Sequence, residues 1–382
     1  MDDLYRNNAE LSLFMPGLHR HSEARKRQER FVYPLNAGAP WPVNQWYVAG
    51  FSSEISETPM ARFYLGRRVV VFRDDQGEVH ALAGLCPHRM MPMELGTLKD
   101  GKIVCGYHGL AFDLQGKCVA APTAVSVPNC ALDAFLVREA APLVWIWMGD
   151  AALGERTPLP PQQACLIGSE GCLTQCVDYT LLKSRYMLLI DNLFDLSHLG
   201  FIHASIVGEG GIALIKPDVE EREGRLIVSR TECDTPPDDF QRFLFPDIAE
   251  RVTVGIGTDL IGISLINAGS FTRSGPSADS ALLGQVNFIH CLTPETETTT
   301  HYWIMLTRDF RLDDEILSSA LAAQNKAVVA QDKAALEAIE EAFASGTPLP
   351  REISMSSDLG AMRARLRITQ MIRNDASALA PP

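Results

Sequence analysis

Two short segments that each carry one cysteine and one histidine constrain this chain more than any other feature of its sequence. Cys86 and His88 have one residue between them, Cys105 and His108 have two, and sixteen residues separate the two pairs. Thiolates and imidazoles bind metals, so a fold that uses all four must hold the two segments as neighbouring loops. Prolines in the first segment and glycines in the second suit tight, stiff loops. The sequence therefore predicts a metal centre between two loops.

Two kinds of centre accept this ligand set. In one type of [2Fe–2S] cluster, two cysteines hold one iron and two histidines hold the other. A structural zinc site also takes two of each residue, but zinc ribbons and fingers group their ligands as Cys-x-x-Cys and His-x-x-x-His. The mixed pattern in this chain favours the cluster, with zinc as the alternative.

Length and charge narrow the class of protein. The 382 residues suffice for two domains, and 46% hydrophobic with 21% charged residues is typical of a globular protein. A net charge of −13 argues against nucleic acid as a partner, because its phosphates would be repelled. Apolar runs are too short to cross a bilayer, and the acidic first residues do not resemble a signal peptide. We therefore expect a soluble, cytoplasmic protein that binds neither nucleic acid nor membrane.

We expect the cysteines outside the two segments neither to bind a metal nor to form disulfides. None of them has a histidine at ligand spacing. Disulfides are rare in the cytoplasm, so a disulfide framework is not expected either. We predict that these residues are thiols of the protein core: Cys118, Cys130, Cys165, Cys172, Cys176, Cys233 and Cys291.

The pattern along the chain divides it into an extension and two domains. Residues 1–40 are polar and carry a basic run from Arg20 to Arg30, which is either a solvated arm or a docking site for an acidic electron donor. Residues 41–155 have the pattern of short β-strands joined by turns. Residues 156–382 mix strands with helices, of which the clearest spans about Asp313 to Phe343 and begins with acidic residues.

A second set of ligand residues lies in the second domain. Asp191, Asp195 and His198 are spaced i, i+4 and i+7, so a continuous helix would place them on one face. His203 lies five residues further on and can converge on the same point if the helix ends or bends near Gly200. Two histidines and one carboxylate are the ligand set of non-heme Fe(II) oxygenases, which leaves positions open for O2 and substrate.

The carboxylate need not come from this segment. On the predicted long helix, Asp332 falls within an apolar stripe that includes Val328, Leu336 and Ile339. A buried aspartate without a partner is costly, so either iron or a buried salt bridge should compensate it. Because the two histidines lack a third ligand, we predict that Asp332 completes the iron site. Glu337 lies off the stripe and is a poorer candidate.

Motifs in both halves resemble one known family. Residues 85–89 (Leu-Cys-Pro-His-Arg) and 105–109 (Cys-Gly-Tyr-His-Gly) resemble the Rieske domain of Rieske non-heme iron oxygenases. Residues 191–203 and 292–303, with 331–338 beyond them, resemble the oxygenase (alpha) components of the vanillate and dicamba O-demethylase branch. The resemblance runs from about Trp46 to Ile339, and the combination of both motifs in this order is highly specific.

The resemblance implies an α+β fold with two metal centres. An all-β Rieske domain at 41–155 would precede a catalytic domain at 156–382, in which an antiparallel sheet and helices carry the mononuclear iron. The implied cofactors are a [2Fe–2S] Rieske cluster and Fe(II), with O2 as co-substrate. The implied site residues are Cys86, His88, Cys105 and His108 for the cluster, His198, His203 and Asp332 for the iron, Asp195 and Asn192 for catalysis, and His290 for substrate.

The resemblance also implies an assembly and an electron donor. In a homotrimer, Asp195 would link the cluster of one subunit to the iron site of the next, through hydrogen bonds to His108 and His198. No GxGxxG fingerprint lies between a strand and a helix, so NAD(P)H would act through a separate flavin reductase, with or without a ferredoxin.

The implied reaction is oxidative O- or N-dealkylation of a small aromatic ether or anilide xenobiotic. Branch members hydroxylate a carbon next to oxygen or nitrogen, and the unstable product then loses an aldehyde. Ring or side-chain hydroxylation without dealkylation is the alternative within enzymes. An electron carrier that uses the cluster alone and a zinc-stabilised binding module are alternatives from other classes.

Overall fold

The computed structural model describes residues 41–207 and 211–379. The predicted extension at 1–40, with its basic run, lies outside the described residues. A β-rich N-terminal part precedes a part that combines an antiparallel sheet with helices, which confirms the predicted fold class. Of the described helices, none combines the length and the apolar character that crossing a membrane requires.

The N-terminal part contains two antiparallel sheets. Its larger sheet has the strand order β1-β10-β9-β4-β3-β2, and its smaller sheet has the order β5-β6-β7-β8. Every residue of β1 and β10 is buried, as their continuous apolar sequences predict. The strands are β1 (Trp46–Phe51), β2 (Met60–Tyr64), β3 (Arg67–Arg73), β4 (Val79–Ala83), β5 (Thr97–Lys99), β6 (Lys102–Val104), β7 (Ala111–Phe112), β8 (Cys118–Ala120), β9 (Ala134–Ala140) and β10 (Leu143–Trp147).

The smaller sheet presents the two cysteine–histidine segments as loops. The first lies between β4 and β5 and the second between β6 and β7. A hydrogen bond from the Cys105 amide to the Leu110 carbonyl closes the second loop at 2.8 Å. A Cβ atom at Gly106 would lie 2.5 Å from the Leu95 carbonyl oxygen, so only glycine lets the backbone of the second loop come this close to the end of the first.

The C-terminal part is built on a seven-stranded antiparallel sheet in the order β11-β17-β16-β15-β14-β13-β12. Its strands are β11 (Leu173–Leu182), β12 (Asp218–Arg222), β13 (Arg225–Thr235), β14 (Val252–Gly262), β15 (Leu265–Arg273), β16 (Leu282–Thr296) and β17 (Thr299–Arg308). The α-helices from residue 151 onward are α1 (Ala151–Arg156), α2 (Tyr186–Phe194), α3 (Leu199–Ile202), α4 (Ala204–Val207), α5 (Asp239–Leu244), α6 (Glu315–Ala344) and α7 (Leu359–Leu379).

Helix α6 confirms the predicted long helix, with a correction to its buried face. The Asp314 carboxylate caps the helix by accepting a hydrogen bond from the Leu317 amide at 2.8 Å. Asp332 and Leu336 are buried as predicted, whereas Ile339 is 41% exposed. The buried row advances by three or four residues at each step and reaches Glu340 rather than Ile339, because successive side chains follow the helical repeat.

The predicted continuous helix from Asp191 past His198 is wrong. Helix α2 ends at Phe194, where Asp195 leaves the helical region with φ −115° and ψ 87°. A short 3₁₀ turn at 196–198 follows, and the Asp195 carboxylate caps it by accepting a hydrogen bond from the Ser197 amide at 3.0 Å. The predicted shared face therefore does not exist. Asp191 instead forms a buried ion pair with Arg365 of α7 at 2.6 Å.

The expectation that the remaining cysteines are core thiols holds for part of the set. Cys118, Cys165 and Cys291 are buried, and all nine cysteines of the chain are free thiols. Cys176 and Cys233 are exposed, because both lie on strands whose outer face meets solvent. The expectation is wrong for these two residues.

The two parts of the chain share a core and pair their backbones directly. One continuous set of buried apolar side chains includes residues from β1 and β3 as well as from α2, β16 and β17. The Leu65 amide donates to the Pro294 carbonyl at 2.8 Å, which attaches the β2–β3 turn to β16. His301 of β17 completes the junction: its Nε2 donates to the Phe63 carbonyl at 2.9 Å, and its Nδ1 accepts from the Tyr179 hydroxyl at 2.9 Å.

We predict that this junction weakens in acid because of His301. Burial lowers the pKa of His301 from 6.5 to about 4. The stability that this neutral imidazole contributes is therefore complete above pH 6.5 and is lost as the pH falls toward 4. Between about pH 7.5 and about pH 5.5 the loss should be about 1 kcal/mol.

The measurement is the thermal unfolding midpoint at the two pH values. His301→Gln keeps a donor and an acceptor but cannot titrate, so the difference between its two midpoints should be smaller than in the unmodified protein. Tyr179→Phe is the control, because it removes one hydrogen bond of the same histidine and keeps the buried imidazole. An equal pH difference in all three proteins would contradict the role of His301.

Candidate metal centres and substrate cavity

The first candidate centre lies at the tips of the two loops of the smaller sheet. Cys86 and Cys105 are 1% and 2% exposed and lie inward, and burial, together with the neighbouring Cys105 thiol, raises the pKa of the Cys86 thiol to about 11. His88 is exposed and His108 is half-buried. Their rings lie 4.5 Å apart between centroids. The structure thus brings all four predicted residues together, as an inner thiol pair and an outer imidazole pair.

This pairwise arrangement fits a two-iron cluster better than a zinc ion. A tetrahedral zinc ion with bonds of about 2.0–2.3 Å would draw all four ligand atoms within about 4 Å of one another. Within the described chain, no three of these four ligand atoms lie within 4.8 Å of one another. Two separate pairs are what a [2Fe–2S] cluster requires, because each pair holds its own iron.

The second candidate centre brings together three residues from distant parts of the chain. His198 ends the 3₁₀ turn after Asp195, His203 follows α3, and Asp332 projects from the middle of α6. Their ligand atoms all lie within 4.8 Å of one another, and among the described residues no other group of three has this property. His203 Nε2 lies 3.1 Å and His198 Nε2 3.6 Å from Asp332 Oδ1.

The hydrogen bonds around these residues show that the group fits a cation. His198 Nδ1 lies 2.5 Å from the Asp195 carbonyl oxygen, which can only accept, so this nitrogen carries the hydrogen. His203 Nδ1 faces the Gln331 side-chain oxygen at 2.8 Å. In neutral imidazoles, both Nε2 atoms then present lone pairs toward the Asp332 carboxylate. Three acceptors that face one another repel unless a positive charge lies between them, and a divalent metal ion supplies that charge.

Asn192 and Gln331 support the three candidate ligands. Asn192 Nδ2 donates to Asp332 Oδ1 at 2.9 Å, so the structure brings this predicted residue into the site. Gln331 was missed at the sequence level, although it directly precedes Asp332 in the motif at 331–338. Its side chain orients His203 and also contacts Ser205 at 3.4 Å. Such contacts set the tautomer and the direction of a metal-binding histidine.

Asp195 contacts His198 in a way that differs from the expectation. The expected partner of His198 was the Asp195 carboxylate, but within the chain the contact is made by the Asp195 main-chain carbonyl. The carboxylate instead caps the 3₁₀ turn through the Ser197 amide. The reason is the backbone break at Asp195, which turns its carbonyl toward His198. Asp195 remains partly exposed.

A cavity of about 570 Å³ opens beside the three candidate ligands, all of which line it. Its position follows from the fold, because the seven-stranded sheet forms one wall and α2, the 3₁₀ turn and α6 form the other. Most of the lining is apolar, with the side chains of Leu193, Leu196, Val254, Ile256, Phe288 and Val328. A cavity of this size and character suits a small aromatic molecule.

His290 lines the same cavity and is held in one protonation state and one tautomer. It is 6% exposed, and burial lowers its pKa to about 4, so it is neutral at physiological pH. Burial raises the pKa of Tyr302 well above its ordinary value, so the Tyr302 hydroxyl keeps its hydrogen. That hydroxyl lies 2.5 Å from His290 Nδ1 and donates to it. Nε2 of His290 therefore carries the ring hydrogen.

Comparison with known proteins places both parts of the chain in one family. Residues 45–131 match the Rieske [2Fe-2S] domain, and residues 182–374 match the C-terminal domain of the vanillate O-demethylase oxygenase. The oxygenase component of chloroacetanilide N-alkylformylase from Rhizorhabdus wittichii is 32% identical over 78% of this chain and 86% of its own length.

Solved structures agree with this match. Dicamba monooxygenase bound to 3,6-dichlorosalicylic acid superposes with a TM-score of 0.79 at 28% identity, over 89% of this chain and all of that one. Dicamba monooxygenase with non-heme iron and dicamba gives a TM-score of 0.75 at the same identity and coverage. The family combines a Rieske [2Fe–2S] cluster with a non-heme iron. This chain therefore belongs to the Rieske non-heme iron oxygenases, as an oxygenase (alpha) subunit of the vanillate and dicamba O-demethylase type.

Proposed function

We propose that this oxygenase carries out oxidative O- or N-dealkylation of a small aromatic ether or anilide. The observation that carries the proposal is the apolar cavity that reaches the lone pairs of His198, His203 and Asp332. An alkyl group on the substrate can lie against these ligands while the ring fills the apolar part. A relative at 32% identity is named chloroacetanilide N-alkylformylase and another at 29% dicamba O-demethylase, and both names support a reaction at an N-alkyl or O-methyl group.

The proposed metal ligands divide between the two domains. Cys86, His88, Cys105 and His108 would hold the cluster, and the three residues on the cavity wall would hold the mononuclear iron. When both centres are loaded, the chemistry they supply is the activation of O2 with electrons from the cluster. The open side of the iron ligands faces the cavity, so O2 and the substrate would meet there.

Side chains of the cavity would position the substrate and exclude water. His290 Nε2 presents a hydrogen that can bind an oxygen of the substrate, and the Tyr302 hydroxyl holds the ring in that orientation. Asn192 fixes the Asp332 carboxylate through Nδ2, while its Oδ1 is buried and has no hydrogen-bond partner among the residues that the structure describes. That free acceptor can orient a water molecule or a protonated oxygen next to the metal ligands.

The proposed electron path crosses between subunits. As the oxygenase component of a multi-component system, such a chain works with a separate reductase. The exposed His88 lies among apolar side chains that are also exposed, including Leu95 at 62% and Tyr107 at 61%. Phe201, beside the iron ligands in sequence, is 77% exposed. A homotrimer that brings the cluster of one subunit to the Asp195 region of its neighbour would bury these surfaces.

We predict that Asp332→Ala loses the mononuclear iron and keeps the cluster. Removal of the carboxylate leaves two imidazoles, which bind Fe(II) too weakly to retain it through purification. Iron content should fall by about one third, since the cluster holds two of the three irons per subunit, while the visible absorbance of the cluster persists.

Glu337→Gln is the matched control for this variant. Glu337 lies on the same helix, but its carboxylate accepts from the Lys183 amide and from Lys333 outside the cavity. This control should keep all its iron. Full retention of iron in Asp332→Ala would reject Asp332 as a ligand.

We predict that Asp195→Asn keeps both metal centres and lowers steady-state turnover by about 100-fold. Asparagine preserves the main-chain carbonyl that orients His198 and removes only the negative charge proposed to link the subunits. The measurement pairs the rate at which a reduced cluster is oxidised in the presence of substrate and O2 with the iron content. A cluster oxidised at the normal rate in this variant would contradict the proposed path.

We predict that a single turnover releases an aldehyde. The chemically reduced protein is mixed with O2 and with methoxy-aromatics or N-alkyl anilides, and the aldehyde and all oxygenated products are quantified. Aldehyde that matches the lost alkyl group, in about equal amount to the dealkylated product, is the expected result. Products that gain oxygen and keep their alkyl groups would instead identify a ring or side-chain hydroxylase.

A further inference from the structure

We infer that the cavity selects an uncharged aromatic substrate with a carbonyl-type oxygen that accepts a hydrogen bond from Asn325, and that it rejects carboxylates and sulfonates. This inference rests on the proposed function, in that the cavity beside the iron ligands is taken as the substrate site. It adds the charge class of the substrate and two residues that determine specificity, Asn325 and Glu232.

The charges around the cavity disfavour an anion. Among the described residues that line it, none is a lysine or an arginine, whereas Glu232 and Asp238 both line it. His290 is neutral at physiological pH and adds no positive charge. The sequence from 204 to 215, which adjoins the lining residue Ile212, contains no lysine or arginine either. An anionic group placed at Asn325, about 10 Å along the helix from the iron ligands, would therefore lose its hydration without gaining a counter-ion from these residues.

Glu232 is a carboxylate that lines the cavity away from the three candidate metal ligands. It lies on β13 opposite Val254, so both side chains are on the sheet face that lines the cavity. It is half-buried and makes no ion pair or side-chain hydrogen bond with any described residue. Asp238, by contrast, caps α5 by accepting from the Gln241 amide at 2.9 Å. The charge of Glu232 is thus left to act on the cavity.

Arg230, the arginine next to Glu232 on this face of β13, does not add a positive charge to the cavity wall. Arg230 lies on β13 two residues before Glu232, but it is 1% exposed and is not part of the cavity lining. Its Nε donates to the Ile215 carbonyl at 2.7 Å. Its Nη1 is buried without a hydrogen-bond partner among the described residues, but the guanidinium is not part of the lining and so makes no direct contact with a ligand in the cavity.

Asn325 supplies the attractive contact. It lines the cavity, it is 4% exposed, and its Nδ2 is buried without a hydrogen-bond partner among the described residues. A buried donor without an acceptor is unfavourable, and an oxygen of the substrate would satisfy it. Asn325 and Asp332 are seven residues apart on the same face of α6, or about 10 Å along the helix axis. One aromatic ring spans the space between a carbonyl at Asn325 and an alkyl group at the iron ligands.

The test is equilibrium binding of three ligands of nearly equal shape to the full chain with its cluster, without O2 or reductant. The ligands are para-methoxybenzamide, para-methoxybenzoate and para-methylanisole. We expect the benzamide to bind at least about 10-fold more tightly than the benzoate. Equal or tighter binding of the benzoate in the unmodified protein would overturn the inference, as would failure of the benzamide to bind at all.

Two variants assign the selectivity to residues. Asn325→Leu should weaken the binding of the benzamide about 10-fold and change the binding of para-methylanisole by less than about twofold. The reason is that only the benzamide has a carbonyl that Asn325 can bind. Glu232→Gln should strengthen benzoate binding by about threefold or more, whereas Glu221→Gln, on the exposed strand β12, should not. Equal losses for benzamide and para-methylanisole in Asn325→Leu would reject the Asn325 contact. Asn325→Ala, which removes the side-chain donor and acceptor and adds no charge, gives the same test if the leucine variant does not fold.

The binding test and the proposed reaction can fail separately. Aldehyde release without any preference for the benzamide would leave dealkylation standing and remove the inference about charge. A clear preference for the benzamide in a protein that only hydroxylates rings would leave the inference about charge standing and remove dealkylation.

Discussion

The convergence of three hydrogen-bond acceptors at Asp332 is the constraint on which the rest of the structure depends. Its carboxylate is 6% exposed and faces Nε2 of His198 and of His203, while Nδ1 of each ring faces another oxygen, the Asp195 carbonyl or the Gln331 side chain. Asn192 supplies one donor, which does not balance a buried negative charge between two lone pairs. The group therefore favours a positive charge at this point. Burial lowers the pKa of His203, but hydrogen bonds to Asp332 and Gln331 outweigh it and raise that pKa, and a divalent metal ion would supply the positive charge more fully.

The helices that carry these acceptors are held by charge pairs outside the metal site. Arg185, just before α2, donates two hydrogen bonds to the carboxylate of Glu340 on α6, from Nε at 2.7 Å and from Nη2 at 2.5 Å, and both side chains are buried. Arg365 of α7 binds Asp191 of α2 through two hydrogen bonds of 2.8 and 2.6 Å, with Arg365 buried and Asp191 half-buried. A buried pair contributes little net stability, but the loss of one partner is costly, so such pairs specify one packing. The first pair fixes α2 relative to α6 and the second fixes α2 relative to α7, and the distance from Asn192 to Asp332 follows from that packing.

The end of helix α2 at Asp195 determines how His198 and the cavity wall are placed relative to these packed helices. A continuous helix would have carried His198 onward along the α2 axis and turned the Asp195 carbonyl into the helix. The break releases that carbonyl to orient His198 and leaves the Asp195 carboxylate near the surface. It also ends α2 beside the cavity, so that Asn192, Leu193 and Leu196 line one wall. One local change in the chain direction therefore shapes the candidate metal ligands, the cavity and the surface at which we propose the contact with a neighbouring subunit.

The sequence by itself determined the residue types of both centres, the fold class and the burial of Asp332. Ligand chemistry is tied to short spacings such as Cys-x-His, and burial on a long helix is tied to a repeat that can be read directly. Only the tertiary structure decided the break at Asp195, since no proline or glycine marks it, and the exposure of Ile339. It also decided the role of Gln331 and the unsatisfied donor of Asn325. These properties depend on contacts and packing between segments far apart in the chain, and no local pattern of residues encodes such distances.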